Sequence, residues 1–263
     1  MNRAVALMAI LLCGAASAQA KLTGEQIAAA ERITGITVPS PAEFFAAIDK
    51  AGKPDWVSFY RQPVPTTYPS RPQTAVNLGA LVTDGFVAVE AQDGQQVKNI
   101  GKDIITLSRA LGVGEDVLNR GKSISDFADK NDWTALREEL EATTNEVRRA
   151  MADQRDDALS ALITAGAWLR ALQVGSRAAE LSGEEESAAL LRQPALVAYL
   201  QSCLERLPEK ARGGPVFIQV DTTLGAVGRA MSPTKSETFG PEQVLAVQQS
   251  SGQLISEMEA KQP

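Results

Sequence analysis

Residues 75–111 read AVNLGALVTDGFVAVEAQDGQQVKNIGKDIITLSRAL, two long apolar runs separated by Gln92-Asp93-Gly94. The spacing predicts a helical hairpin, with helices over about 72–91 and 94–111. In the second, Val97, Ile100, Ile104, Ile105, Leu107, Ser108 and Leu111 fall on one broad stripe at the 3.6-residue period. Alternation at period two, the mark of a half-buried strand, is scarce throughout the chain, and Ala, Leu, Glu and Gln are abundant while aromatics make up only 5%.

Punctuation outside this hairpin agrees. Ser40-Pro41-Ala42-Glu43 offers an N-cap, a proline at the first helical position and a glutamate three residues beyond the cap, so a helix starts there. Pro63 to Pro72 reads as an extended loop. A broken helical stretch over 115–129 leads to Asn131-Asp132, a natural cap for a helix over 133–153. Further helices are expected over about 156–180 and 194–206, a linker from Pro208 to Pro215, and a last helix from Gly240-Pro241-Glu242 to near Glu259. Val216–Val220 could open a strand but has no partner strand, so 215–231 is read as helix. The fold class that results is all-α, antiparallel helical hairpins packed as a bundle or short α-array.

The first twenty residues, MNRAVALMAILLCGAASAQA, have a basic start (Arg3), an apolar run (Ala4–Leu12) and a small-x-small end (Ala18-Gln19-Ala20). This is the layout of a secretory signal, with cleavage expected after Ala20 and residues 21–263 forming a single domain. Lipidation at Cys13 is the lesser reading, since Leu12 is not the small residue a lipobox wants. No later segment is expected to span a membrane. Cleavage removes Arg3 and no acid, so Lys+Arg falls from 26 to 25 against 32 Asp+Glu and the formal charge from -6 to -7. An acidic chain without a dense basic run suits neither nucleic acid nor anionic lipid. The mature chain keeps one cysteine, Cys203, expected as a buried thiol on a helix and unable to form an intramolecular disulfide.

The chain has no histidine, which removes Ser-His-Asp and Cys-His catalysis and the usual zinc sites. Gly121-Lys122-Ser123 ends like a phosphate loop, but Asp116 stands where the first glycine belongs. Ser232-Pro233-Thr234-Lys235 has the S-x-x-K spacing without the accompanying S-D-N or K-T-G elements. Asp129-Lys130-Asn131 starts like a calcium loop, yet Thr134 and Leu140 occupy the positions of the required glycine and glutamate. The acid groups at Glu138-Glu139-Glu141, Asp153-Asp156-Asp157 and Glu184-Glu185-Glu186 read as helix ends and polar faces. Neither a catalytic residue, nor a metal ligand, nor a cofactor is assigned.

What stands out is polar groups inside apolar helices. Asp84 lies in LVTDGFVAV with Asn77 two turns earlier on the same face, and Arg170 lies in GAWLRAL beside Trp168. A buried carboxylate needs a partner, for which Lys102 and Arg170 are the candidates. An interior ion pair fixing helix register is the main reading. A ligand site of Asn77, Asp84, Trp168 and Arg170 between the two helices is the alternative. AVNLGALVTDGFVAV (75–89) and ALITAGAWLRALQVG (161–175) also share a glycine inside an apolar helix, a position that usually admits a close neighbour.

Asn77-Leu78-Gly79 with Asp84, followed by Gly166 to Leu172, resembles the "NLG…D" and "GGW" helices of uncharacterised exported helical proteins and lipoproteins of Bacteroidetes, over about residues 74–177. Ala167 replaces the second glycine of the pair. The resemblance implies an all-helical envelope protein and carries no activity. The functional expectation is a periplasmic binding or scaffolding module acting on an unknown protein or small-molecule partner in the envelope. A small-ligand binder is the alternative, and a hydrolase using carboxylates alone a remoter one, needing two acids across a cleft.

Overall fold

Three of the turns that join the helices in the first half of the domain are built from the same few atoms. In the computed structural model, which describes residues 40–113, 115–232 and 239–260, the helices are α1 (Pro41–Gly52), α2 (Arg71–Glu90), α3 (Gly94–Ala110), α4 (Glu115–Asp129), α5 (Trp133–Asp153) and α6 (Asp157–Ser182), with a 3-10 turn at Trp56–Phe59. Gln92, Asn131 and Arg155 each adopt a left-handed conformation, and the Asp that follows each of them caps the next helix. The amide of that Asp also closes the previous helix, Asp93 onto Ala88 O, Asp132 onto Phe127 O and Asp156 onto Met151 O. One residue therefore ends one helix and starts the next, satisfying backbone groups on both sides. The turn is tight enough to hold successive helices antiparallel.

The rest of the described chain is α7 (Glu185–Leu191), α8 (Pro194–Glu205), α9 (Glu209–Arg212), α10 (Pro215–Met231) and α11 (Pro241–Glu259). No strand occurs among the described residues. The all-α array of hairpins expected from the sequence is what the described residues form. Ser40 and Glu43 form the anticipated capping box.

Several local readings need correcting. Residues 115–129 form one continuous helix. The Pro-rich loop ends before Arg71, because Pro72 sits in the first turn of α2, where its missing N–H is harmless. The 208–215 linker contains a helical turn, and 215–231 is helix along its whole length. Cys203 is half-buried rather than buried, with an Arg206 guanidinium nitrogen 3.2 Å from its sulfur. The signal sequence with Ala20 and Cys13, and Thr234 and Lys235 of the S-x-x-K match, lie outside the described residues.

α2 and α6 form the centre. From Gln73 to Val89 every residue of α2 is buried, so the helix has neighbours on all sides. α6 is enclosed from Ala165 to Leu172 and opens to solvent toward both ends. It has the length and composition to cross a membrane, which the sequence reading did not anticipate, but 72% of its most apolar window is buried inside the protein. A core helix of this length meets the same criterion. The two helices touch through their glycines. A Cβ on Gly79 would overlap the Ile163 carbonyl and stand 2.7 Å from Ala167 N; one on Gly166 would overlap Val76. The Thr83 hydroxyl spans the same seam, donating to Ala167 O at 2.8 Å. Contacts Val76–Gly166, Thr83–Ala167 and Asp84–Arg170 rise together in number, so the helices run in the same general direction, as befits elements separated by three alternating ones.

Replacing Gly79 by Ala gains helix propensity of about 1 kcal/mol but forces two backbones apart. We expect Gly79→Ala to lower stability in urea by about 2 kcal/mol or more. Gly225→Ala, on α10 where the nearest neighbour is the flexible end of Arg229 at 3.5 Å, should be neutral or stabilising.

Candidate functional site

Asp84 is set in the last third of α2, where the turn of the helix points it at the junction of α6, α11 and the chain entering the Pro-rich segment. Only 8% of the residue is exposed. An isolated carboxylate there would be too costly to keep ionised, and two guanidiniums answer it. Arg170 of α6 donates its Nε to Asp84 Oδ1 at 2.8 Å. Arg61 donates Nε to Oδ2 at 2.8 Å and Nη2 to the same oxygen. Arg61 reaches Glu259, at the end of α11, with Nη1. Arg170 also donates to Gln173 Oε1 at 2.9 Å and to the Phe59 carbonyl at 2.6 Å. The cluster thus holds two cations and two anions, and ties α2, α6, α11 and the 59–61 segment together.

Burial pushes the Asp84 carboxyl up, but Arg61 and Arg170 outweigh it, and the group sits below the ordinary carboxylate range. Burial and the like charge of Arg61 pull Arg170 down against the opposing pull of Asp84; a guanidinium stays protonated regardless. Lys102, the other partner considered for Asp84, is exposed on α3 and takes no part. Nothing in periodicity pointed to Arg61, which lies in an irregular segment.

The remaining two expected site residues go elsewhere. Asn77 donates its side-chain amide to Gln73 O at 2.9 Å and Met258 O at 2.7 Å. Gln73 donates to Met258 O and Ala260 O at 2.8 and 3.1 Å. Met258 O lies in the last turn of α11 and Ala260 O just beyond it, where intrahelical donors run out, so α2 supplies the C-terminal cap of α11 from its side chains. Trp168 is 3% exposed and packs on Phe44 with ring centroids 5.9 Å apart, part of a cluster with Phe45, Trp56 and Phe59. The structure therefore joins Asp84 to Arg170, and gives Asn77 and Trp168 structural surroundings of their own.

Arg170 does border a cleft, bounded by α6, α11 and residues 58–61, of about 490 Å³. On the α6 side Arg170, Gln173, Val174 and Arg177 follow one another at helical spacing. On the α11 side stand Gln248, Gln249, Gly252, Gln253 and Ser256, and Arg61 closes one end. The lining contains three arginines and four glutamines, and neither Asp nor Glu. Sequence reasoning missed the α11 wall, whose amides look like an ordinary polar helix face. Among the described residues, no group of three acidic or cysteine side chains could hold a metal ion.

A carboxylate whose folded pKa is depressed stabilises the fold above its unfolded value, about 3.9, and loses that contribution as the pH falls through the folded value. Asp84→Asn removes the contribution and leaves two buried cations short of a partner. It should cost about 3–5 kcal/mol near neutral pH, and the fall in stability below about pH 4 should be shallower than in the parent protein when urea midpoints are followed against pH.

The chain matches no known protein family, no curated protein and no solved structure.

Proposed function

We propose that the chain is an exported binding protein of the cell envelope and that its ligand site is the polar cleft between α6, α11 and residues 58–61. The observation that carries this reading is the cleft itself: about 490 Å³ of space over a fixed ion cluster, within the range of small-molecule sites. Its floor is held by Asp84 and Glu259 through Arg61 and Arg170, so the polar groups facing the space are positioned before any ligand arrives, which lowers the ordering cost of binding.

The acids nearest the cleft, Glu180 and Glu257, are each held by lining side chains, and no pair of carboxylates lines it, which favours binding over hydrolysis by paired carboxylates there. A small ligand is favoured over a purely scaffolding role because a scaffold needs no preset donors at the floor of a concavity. Export rests on the N-terminal pattern of basic start, apolar run and Ala18-Gln19-Ala20, and on the resemblance of the Asn77–Asp84 and Gly166–Leu172 helices to exported helical proteins.

Native mass spectrometry of the protein purified from its own envelope tests both parts. The expected result is a chain beginning at Lys21 that carries an additional mass lost on unfolding. Ser256→Trp, an exposed position on the cleft wall, should fill the space and abolish that mass without loss of helicity. An additional mass that survives in Ser256→Trp, or a parent protein that carries none, would count against the cleft; a chain retaining residues 1–20 would count against export.

A further inference from the structure

Resting on the reading of the cleft as a ligand site, we infer that it selects a small monocarboxylate rich in hydroxyl or amide groups, and that Arg177 is the residue that takes the carboxylate. The three arginines of the lining are not equivalent. Arg61 and Arg170 are buried and already matched by Asp84 and Glu259, so their charges are committed to the fold. Arg177 has a side chain 48% exposed and its partner, Glu180, is 44% exposed. That pair is one turn long on a helix surface and is held by a single Nη1 contact at 2.6 Å. A pair of this kind contributes little and exchanges readily with another anion. The remaining guanidinium N–H groups keep the fork geometry that matches the two oxygens of a carboxylate.

The matching of charges sets the ligand's own charge. One exchangeable cation faces the space, and the acids nearest it, Glu180 and Glu257, are held by the lining side chains Arg177, Gln248 and Gln253, inside a chain of net charge -6. A ligand carrying one negative charge can displace Glu180 from Arg177. A multiply charged one would meet cations that are already paired and the repulsion of the acidic surface. Glu180 is also held by Gln248 from the α11 wall, which donates at 3.1 Å. Displacing Glu180 frees that amide as well, so the carboxylate would find a guanidinium and an amide donor released together.

The rest of the lining sets the chemistry of the ligand's body. Gln173 accepts from Arg170 and keeps its amide donor, Gln253 donates to Glu257 and keeps its acceptor, and Gln249 stands beside them, with Ser256 at the edge. Gly252 leaves room for Gln173 to lie across the wall, since a Cβ there would come within 3.0 Å of its amide nitrogen. Amides paired with hydroxyls suit a ligand that both gives and accepts hydrogen bonds along its length, as sugar acids and short peptides do. A fatty acid, whose body is apolar, would leave these groups unpaired.

Calorimetric titration with two matched pairs of probes tests the inference and separates its two sources. Lactobionate is compared with lactose, and N-acetyl-alanylalanine with its C-terminal amide. At least one carboxylate should bind the parent protein, tighter than its neutral counterpart by about tenfold or more, as expected for a hydrogen bond to a charged group. Which pair responds identifies the ligand body as sugar or peptide. Arg177→Gln should bring the acid and neutral probes of that pair to similar affinity, and Ser256→Trp should abolish binding of both. Equal binding of acid and neutral probes, or a preference that persists in Arg177→Gln, overturns the carboxylate assignment while leaving the cleft in place. Binding that survives Ser256→Trp overturns the cleft reading. No binding of either carboxylate at about millimolar concentration overturns the ligand class, and the envelope-purified mass then decides the cleft on its own.

Discussion

The carboxylate of Asp84 is the constraint around which the rest of the structure is arranged. It sits on a helix whose neighbours on every side are protein, and an ionised group there is tolerated only if cations are brought to it. Arg170 arrives on α6, already adjacent to α2. Arg61 is carried in by the irregular segment that follows the buried Trp56 and Phe59. Through Arg61 the ion cluster reaches Glu259 and so fixes the end of α11. The three boundaries of the cleft are thereby positioned by one buried acid. A well-packed apolar trio of similar volume could give equal stability, so the value of the ions lies in where they place the cleft's polar groups.

That arrangement depends on how closely α2 and α6 approach. With larger residues at Gly79 and Gly166 the helices would stand further apart, and the Asp84–Arg170 contact would open toward water. Instead the seam is closed by backbone contact and by Thr83, and α2 turns Gln73 and Asn77 toward α11. They satisfy carbonyls at the end of α11, so the cap of the last helix in the described chain is provided from the second. The ends of α2 therefore hold α11 at two places, by its terminal carbonyls and through Arg61. Clamped there, α11 can present Gln248, Gly252 and Ser256 as a wall opposite α6.

Much of this was legible in the residues because it is encoded locally. The Ser40–Glu43 box, the Asp132 cap and the stripe from Val97 to Leu111 each need only a short window to be read. The glycines in 75–89 and 161–175 signalled close approach, though not that the two segments meet each other. Asp84 and Arg170 could be paired because both are charges stranded in apolar helices. Arg61 and Glu259 could not be found the same way. Each is a charge in a context where charges are common, an irregular Pro-rich segment and a helix end, and only the fold brings them to Asp84. Cys203 was misplaced for a related reason: helical spacing among apolar residues gives the face of α8, while the depth of that face depends on which helices cover it. The cleft belongs to the same class, since its α11 wall has the composition of an ordinary solvated face.

A double-mutant cycle between Arg61 and Asp84, using Arg61→Met and Asp84→Leu and read by urea unfolding, tests most directly whether one buried acid organises the site. If the two side chains act as a unit, the double variant loses much less stability than the sum of the single ones, with a coupling of about 1–3 kcal/mol. Losses that simply add would mean that Arg61 is held by something other than Asp84, and the account of how the cleft is fixed would be wrong.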